Sequence, residues 1–180
     1  MQNWKVTNSP KWIIGHHTGG TDANPLADTS KHTASIVESW HLKKGWDGIG
    51  YHYFISLAGT ISQGRPEHVQ GAHTIGYNRN SIGICLAGNF DATMPSQAQE
   101  IALRELLKDI RTRYNIPLSN LVPHRKFANK SCFGRNLSDT YMQDLLVEET
   151  KSLTEFSTLD LLKEAHSRRD FWSNLVKLWS

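Results

Sequence analysis

The sequence predicts an α/β domain with a central mixed β-sheet flanked by helices, followed by a C-terminal helical extension. Two observations support this prediction. Short apolar runs of strand length alternate along the chain with longer segments of helical periodicity, an order that is typical of α/β sheets. The 180 residues are 38% hydrophobic and 21% charged, a composition that allows a folded core. We expect one domain over residues 1–150 and the helical extension over residues 151–180.

Apolar runs mark the predicted strands. The first is KWIIGHH at residues 11–17, a short run expected to be buried. The segments YHYFISL and ISQ, joined by the turn AGT across residues 51–63, predict a β-hairpin. The run NSIGICLAGNF at residues 80–90 is apolar almost throughout, which predicts a central strand buried on both faces. The segment LSNLVPH at residues 118–124 predicts one more short strand.

Three segments between these runs have helical periodicity. The first helix is predicted over residues 30–43, with its apolar positions at Ile36, Val37 and Trp40. The second is the clearest, because Ser96 is a suitable N-cap and Pro117 lies just past the end. Five residues form its predicted apolar stripe: Ile101, Leu103, Leu106, Leu107 and Ile110. A third helix is predicted to begin near Ser138.

The C-terminal extension also has a helical pattern. Ser157 begins a capping-box-like S-x-x-D sequence. Apolar residues then gather on one helical face: Phe171, Trp172, Leu175, Val176 and Trp179. Residues 151–180 carry five Lys/Arg and four Asp/Glu, so the segment is not a basic membrane anchor. Packing on the domain or on a second copy is the first interpretation, and a tail that contacts the wall or a membrane is the alternative.

Charge and cysteine content narrow the function classes. The formal net charge is +3 without a Lys/Arg tract, so we expect no nucleic-acid partner. Two cysteines do not form a disulfide framework, and Cys85 is expected to be a core thiol. The N-terminal residues lack the apolar core of a secretory signal, and no apolar run approaches the length of a bilayer span. We therefore expect a protein made in the cytoplasm, with no stable membrane insertion; its oligomeric state stays open.

Histidine and cysteine at strand ends form the candidate chemical site. In the stretch WIIGHHTGG, His16 and His17 point to opposite faces of a strand, so only one of them can face a given cleft. A strand-end histidine is more often structural than a ligand. His124 follows a predicted strand, and Cys132 lies eight residues later. One histidine of the pair with His124 and Cys132 would supply a His-His-Cys set, which suits a catalytic zinc with an open fourth position. The alternative is a surface loop with a partly buried thiol.

Four motifs in order carry a family resemblance: IIGHHT, GIGYHYFI, GAHTIGYNRNSIGICLAGNF and PHRKFANKSC. This set resembles the zinc-dependent N-acetylmuramoyl-L-alanine amidases of the type 2 family. That family includes the peptidoglycan recognition proteins and the amidase-type lysozymes of T-odd coliphages. The resemblance covers residues 12–147, about three quarters of the chain.

The resemblance implies roles for individual residues. It implies Zn²⁺ as the cofactor, with His16, His124 and Cys132 as its ligands. His17 occupies a variable position of the family and is interpreted as structural. Tyr51 is implied to lie beside the water at the metal. Lys130 matches a lysine of the phage-type enzymes, and His73 and Asn78 are implied to line the substrate groove.

The resemblance also implies the reaction and its setting. The implied reaction is hydrolysis of the amide bond between N-acetylmuramic acid and L-alanine in peptidoglycan. Lys130 favours a phage or prophage endolysin, a bacteriolytic and antimicrobial enzyme that acts on the bacterial cell wall. Two alternatives stay open: a module that binds muropeptides without cutting them, and a cytoplasmic amidase that recycles anhydromuramyl peptides.

Overall fold

The computed structural model describes residues 7–21 and 23–147, so the predicted extension over residues 151–180 lies outside the described residues. A five-stranded sheet forms the centre of the fold, with the strand order β3-β2-β4-β1-β5. The strands are β1 (Trp12–His17), β2 (Tyr53–Ile55), β3 (Ile61–Gln63), β4 (Ser81–Leu86) and β5 (Leu121–Pro123). The helices are α1 (Ala34–Lys43), α2 (Gln97–Tyr114) and α3 (residues 141–147).

The sheet is mixed, as predicted. β1 pairs in parallel with both β4 and β5, β2 pairs in parallel with β4, and β2 and β3 form the antiparallel hairpin. Every residue of β4 is buried, which confirms the predicted central strand. Parallel strands end at the same edge of a sheet, so the ends of β1, β4 and β5 lie side by side. The candidate site is at this edge.

The first helix begins later than predicted. Its N-cap is Thr33, whose hydroxyl accepts a hydrogen bond from the Ile36 backbone N–H. The preceding residues form a turn, in which the Asp28 carboxylate accepts a hydrogen bond from the Ser30 N–H, so a helix start at residue 30 is wrong. The predicted apolar face is also wrong in part. Val37 and His41 are the buried residues of α1, whereas Ile36 and Trp40 are each more than a third exposed.

The second helix confirms its predicted cap but not its whole stripe. Ser96 forms a capping box with Gln99, and Asn115 ends the helix in the left-handed conformation. Leu103 and three other predicted residues are buried, but Ile101 is 51% exposed. Successive helical residues are about 100° apart, so Ile101 lies about 200° from both Gln99 and Leu103. Gln99 is buried instead, and its amide donates to the carbonyl of Ala87, which follows β4.

The corrected stripe predicts a large difference between two truncations in α2. Leu107→Ala should lower the free energy of unfolding by about 2–5 kcal/mol, because it opens a cavity in the core. Ile101→Ala should change it by less than about 0.5 kcal/mol, because that side chain is half in solvent. Urea unfolding followed by circular dichroism measures both values. Equal losses would contradict the assigned helix face.

Two further boundaries differ from the prediction. Residues Leu118–Asn120 form a short 3-10 helix, so β5 begins at Leu121 and is shorter than the predicted strand. α3 begins three residues after Ser138, because the carbonyl of Thr140 accepts the first helical hydrogen bond, from the Asp144 N–H. In the described part of the chain, no helix combines the length and apolar character that a bilayer span requires.

Candidate metal centre

Two neighbouring parallel strands bring two histidines together. His16 is near the end of β1, where it pairs in register with Cys85 of β4 and is 1% exposed. β5 pairs with β1 up to Gly15, and His124 follows directly in a short 3-10 helix. The ring centroids of His16 and His124 are 4.5 Å apart. The strand register therefore places both imidazoles at one edge of the sheet.

The loop after β5 brings Cys132 to the same place. Arg125 holds this loop, since its guanidinium donates to the carbonyls of Gly134 at 2.7 Å and Leu137 at 2.6 Å. The Cys132 Sγ lies 3.8 Å from the His16 Nδ1. One ligand atom from each of His16, His124 and Cys132 falls within 4.8 Å of the other two. The three candidate ligands predicted from the sequence therefore lie close enough together to share one metal ion.

This donor set fits zinc. Zinc–nitrogen bonds are about 2.0–2.1 Å long and a zinc–sulfur bond is about 2.3 Å long, so two tetrahedral ligand atoms lie about 3.5 Å apart. The 3.8 Å between the Cys132 Sγ and the His16 Nδ1 is close to this value. Burial lowers the pKa of His16 well below its ordinary value, and neighbouring His73 and His124 act in the same direction. Burial also lowers the pKa of His124 to about 4. Both imidazoles are therefore neutral at neutral pH, the form that binds a metal.

The thiol of Cys132 has the opposite shift. Burial raises the pKa of Cys132 to about 12, although the His17 backbone N–H and the Lys130 charge both act to lower it. The metal-free site therefore holds a protonated thiol at neutral pH. A metal ion must displace that proton, since the thiolate is the form that binds.

A cleft of about 610 Å³ borders two of the three candidate ligands, whereas His16 is buried behind its lining. Its lining includes His124 and Cys132 together with Tyr51 and Lys130. The Tyr51 ring centroid lies 5.0 Å from that of His16. Burial raises the pKa of Tyr51 well above its ordinary value, so the phenol stays protonated and can donate a hydrogen bond. Lys130 is exposed and close enough to lower the pKa of His124.

The cleft has polar residues that the sequence analysis missed. Asp91 lines it, and its carboxylate accepts hydrogen bonds from the Ser131 hydroxyl at 2.6 Å and from the Arg135 N–H at 2.7 Å. Ser131 and Arg135 also line the cleft. Asp91 follows soon after the run that forms β4, so its place at the end of a central strand was a usable signal. Arg135 had no such signal.

His73 and Asn78 lie away from the cleft lining. The His73 Nδ1 is 3.0 Å from the His16 Nε2, so its ring stands behind the candidate ligand. The side-chain oxygen Oδ1 of Asn78 accepts hydrogen bonds from the backbone N–H groups of His73 and Thr74, each at 2.8 Å, and so holds the loop that carries His73. Direct contact of these two residues with substrate stays a prediction.

The second histidine of the pair also lines the cleft, but its ring has other contacts. The Nδ1 of His17 accepts a hydrogen bond from the Phe90 backbone N–H at 3.0 Å, and its ring lies against Phe90. His17 contributes its backbone N–H to Cys132, but its ring is not one of the three grouped ligands. Cys85 is fully buried in β4, as expected of a core thiol.

The mixed sheet, with a His-His-Cys group beside a polar cleft, is an arrangement that suits a metal-dependent hydrolase. The family model described as N-acetylmuramoyl-L-alanine amidase matches residues 6–135, and the chain belongs to that family.

Similarity to individual proteins supports this family assignment. The chain is 35% identical over 118 residues to the endolysin of Klebsiella phage KP32 and 37% identical over 118 residues to that of Escherichia phage T7. Each match covers 62% of this chain and 76% of the relative. Among solved structures, the endolysin amidase LysCS from Clostridium intestinale has 30% identity and a TM-score of 0.69, over 79% of this chain and 87% of that one. The predicted function, a peptidoglycan amidase of the phage endolysin type, is confirmed.

Proposed function

We propose that the chain hydrolyses the amide bond between N-acetylmuramic acid and L-alanine of peptidoglycan with a zinc ion held by His16, His124 and Cys132. The observation that carries this proposal is the meeting of the three ligand atoms within 4.8 Å beside a polar cleft. The endolysins among its relatives support the cell wall as the place of action.

Residues of the chain have different chemical roles around the scissile bond. A zinc ion at this site would polarise the amide carbonyl and activate water for attack. Amide cleavage passes through a tetrahedral oxyanion, which fixed positive charge and hydrogen-bond donors stabilise. Lys130 supplies the charge, and the protonated phenol of Tyr51 supplies a donor and orients the attacking water. Cys132 would be the third protein ligand, and a zinc ion with three protein ligands would keep a position for water or substrate.

The direct test is digestion of purified peptidoglycan with the zinc-loaded protein. We expect stoichiometric zinc and the release of stem peptides with a new free N-terminal L-alanine. Tight binding of peptidoglycan without cleavage would replace the proposal with the muropeptide-binding module. Intact sacculi and small soluble anhydromuropeptides should be compared in the same assay, because preference for the small substrate would indicate the recycling enzyme.

Zinc affinity should depend on pH in a specific way. Between pH 8 and pH 6 the Cys132 thiol is protonated and both histidines are neutral, so each zinc ion displaces one proton. The apparent dissociation constant should therefore rise about tenfold for each unit by which pH falls. Competition with a chromophoric chelator at pH 6, 7 and 8 measures this slope. A pH-independent constant would show that the thiolate exists before the metal binds.

A further inference from the structure

A chain of hydrogen bonds runs from the candidate ligand His16 into the interior of the protein. The His16 Nε2 is 3.0 Å from the His73 Nδ1. On the far side of the ring, the His73 Nε2 is 3.4 Å from the Ser81 hydroxyl. That hydroxyl donates in turn to the Tyr77 carbonyl at 2.7 Å. The chain therefore ends on a backbone acceptor.

The positions of the protons follow from the two ends of this chain. The Cys132 Sγ lies 3.8 Å from the Nδ1 of His16, so Nδ1 is the nitrogen that would bind a shared metal, and the proton must then lie on Nε2. The Nε2–H then donates to the His73 Nδ1, which places the proton of His73 on its own Nε2. The His73 Nε2–H then donates to the Ser81 hydroxyl oxygen, because the hydroxyl proton of Ser81 is donated to the Tyr77 carbonyl. This arrangement gives the His16 Nε2–H, the His73 Nε2–H and the Ser81 hydroxyl one acceptor each.

The surroundings of His73 leave little freedom for its ring. A Cβ at position 83 would lie 2.6 Å from the imidazole, so the ring packs directly on the backbone of Gly83 in β4. The Thr74 hydroxyl is 3.0 Å from the His73 Nδ1 and 3.4 Å from the His16 Nε2, so it lies beside the contact between the two rings. The Asn78 side chain fixes the backbone of both residues.

We propose that His73 is a positioning residue that holds His16 in the Nε2–H tautomer and in the ring orientation that presents Nδ1 to the metal. This inference rests on the proposed zinc site and adds a residue that contacts the metal only through its ligand. Outer hydrogen bonds of this kind fix the tautomer and orientation of ligating histidines, and their loss weakens metal binding by about 10–100-fold.

The first test uses variants and zinc affinity. His73→Phe keeps a ring of similar shape but removes the acceptor, and it should raise the zinc dissociation constant by about 10–100-fold. His73→Asn places an oxygen near the position of Nδ1, and it should recover part of that loss. His52→Phe is the matched control, since His52 is a buried histidine that bonds to Gly83 and Val69 and has no hydrogen bond to His16. Its zinc affinity should stay within about threefold of the wild type.

The outcomes separate this inference from the zinc proposal. If the wild type binds no zinc, the proposed function fails. If the wild type binds zinc and His73→Phe binds it equally well, the positioning role is overturned.

A second test needs no variant and no metal. Nitrogen NMR of the 15N-histidine-labelled wild-type protein should show His16 protonated at Nε2, with a coupling across the hydrogen bond to the His73 Nδ1. Protonation of His16 at Nδ1 would overturn the inference even if the variants fail to fold.

Discussion

Cys132→Ser should remove both zinc and hydrolysis. Serine offers a neutral hydroxyl in place of the soft thiolate that zinc prefers, so the site keeps only its two imidazoles. We expect the zinc dissociation constant to rise by about a thousandfold or more and the hydrolysis of peptidoglycan to fall by at least a similar factor. Zinc content after dialysis and the release of N-terminal L-alanine measure the two losses.

Cys85 provides the control for this variant. It is the other cysteine of the chain, it is fully buried in β4, and it is not among the grouped ligands. Cys85→Ala should retain one zinc per chain, whatever it costs in folding stability. A Cys132→Ser protein that still binds zinc and cleaves peptidoglycan would remove the cysteine from the metal site and with it the assigned ligand set.

Lys130→Ala should separate catalysis from metal binding. Lys130 lines the cleft beside the ligands, and loss of one group that stabilises an oxyanion typically lowers kcat by about 10²–10³-fold. Zinc should remain stoichiometric, because Lys130 is not a ligand and its positive charge opposes a cation. Tyr51→Phe should also lower kcat and leave zinc stoichiometric. Its loss of kcat should be smaller than that of Lys130→Ala, because the variant removes a neutral donor rather than a charge. Steady-state hydrolysis of a soluble muropeptide, with zinc content determined on the same samples, measures both effects.

Lys126 is the matched control for Lys130. It is an exposed lysine in the short helix that begins at His124, and it does not line the cleft. Lys126→Ala should keep hydrolysis within about twofold of the wild type, as expected of a surface substitution. Equal losses in the two variants would point to a general effect of positive charge on binding of the anionic muropeptide, and Lys130 would lose its catalytic assignment.

Local sequence patterns predicted the structure correctly where the structure depends on a few neighbouring residues. The uninterrupted apolar run around Ile84 predicts a central strand, and the serine at position 96 predicts a helix start, because both signals act within a few residues. The same reasoning failed at Ile101 and at the start of α1. An apolar residue can remain exposed when the helix turns another side towards the sheet, and Gln99 is buried because its amide meets the carbonyl of Ala87.

The sequence by itself determined the family, the mixed sheet and the identity of the three candidate ligands, because apolar runs and the order of the motifs can be identified from the order of residues alone. Only the tertiary structure decided that the Nδ1 atom of His16 faces Cys132 and that His73 stands behind the opposite nitrogen. It also decided that Asp91 and Arg135 border the cleft. The physical reason is that these contacts join residues 44 to 116 positions apart, and hydrogen-bond directions are set by strand register and loop closure rather than by neighbours in the chain.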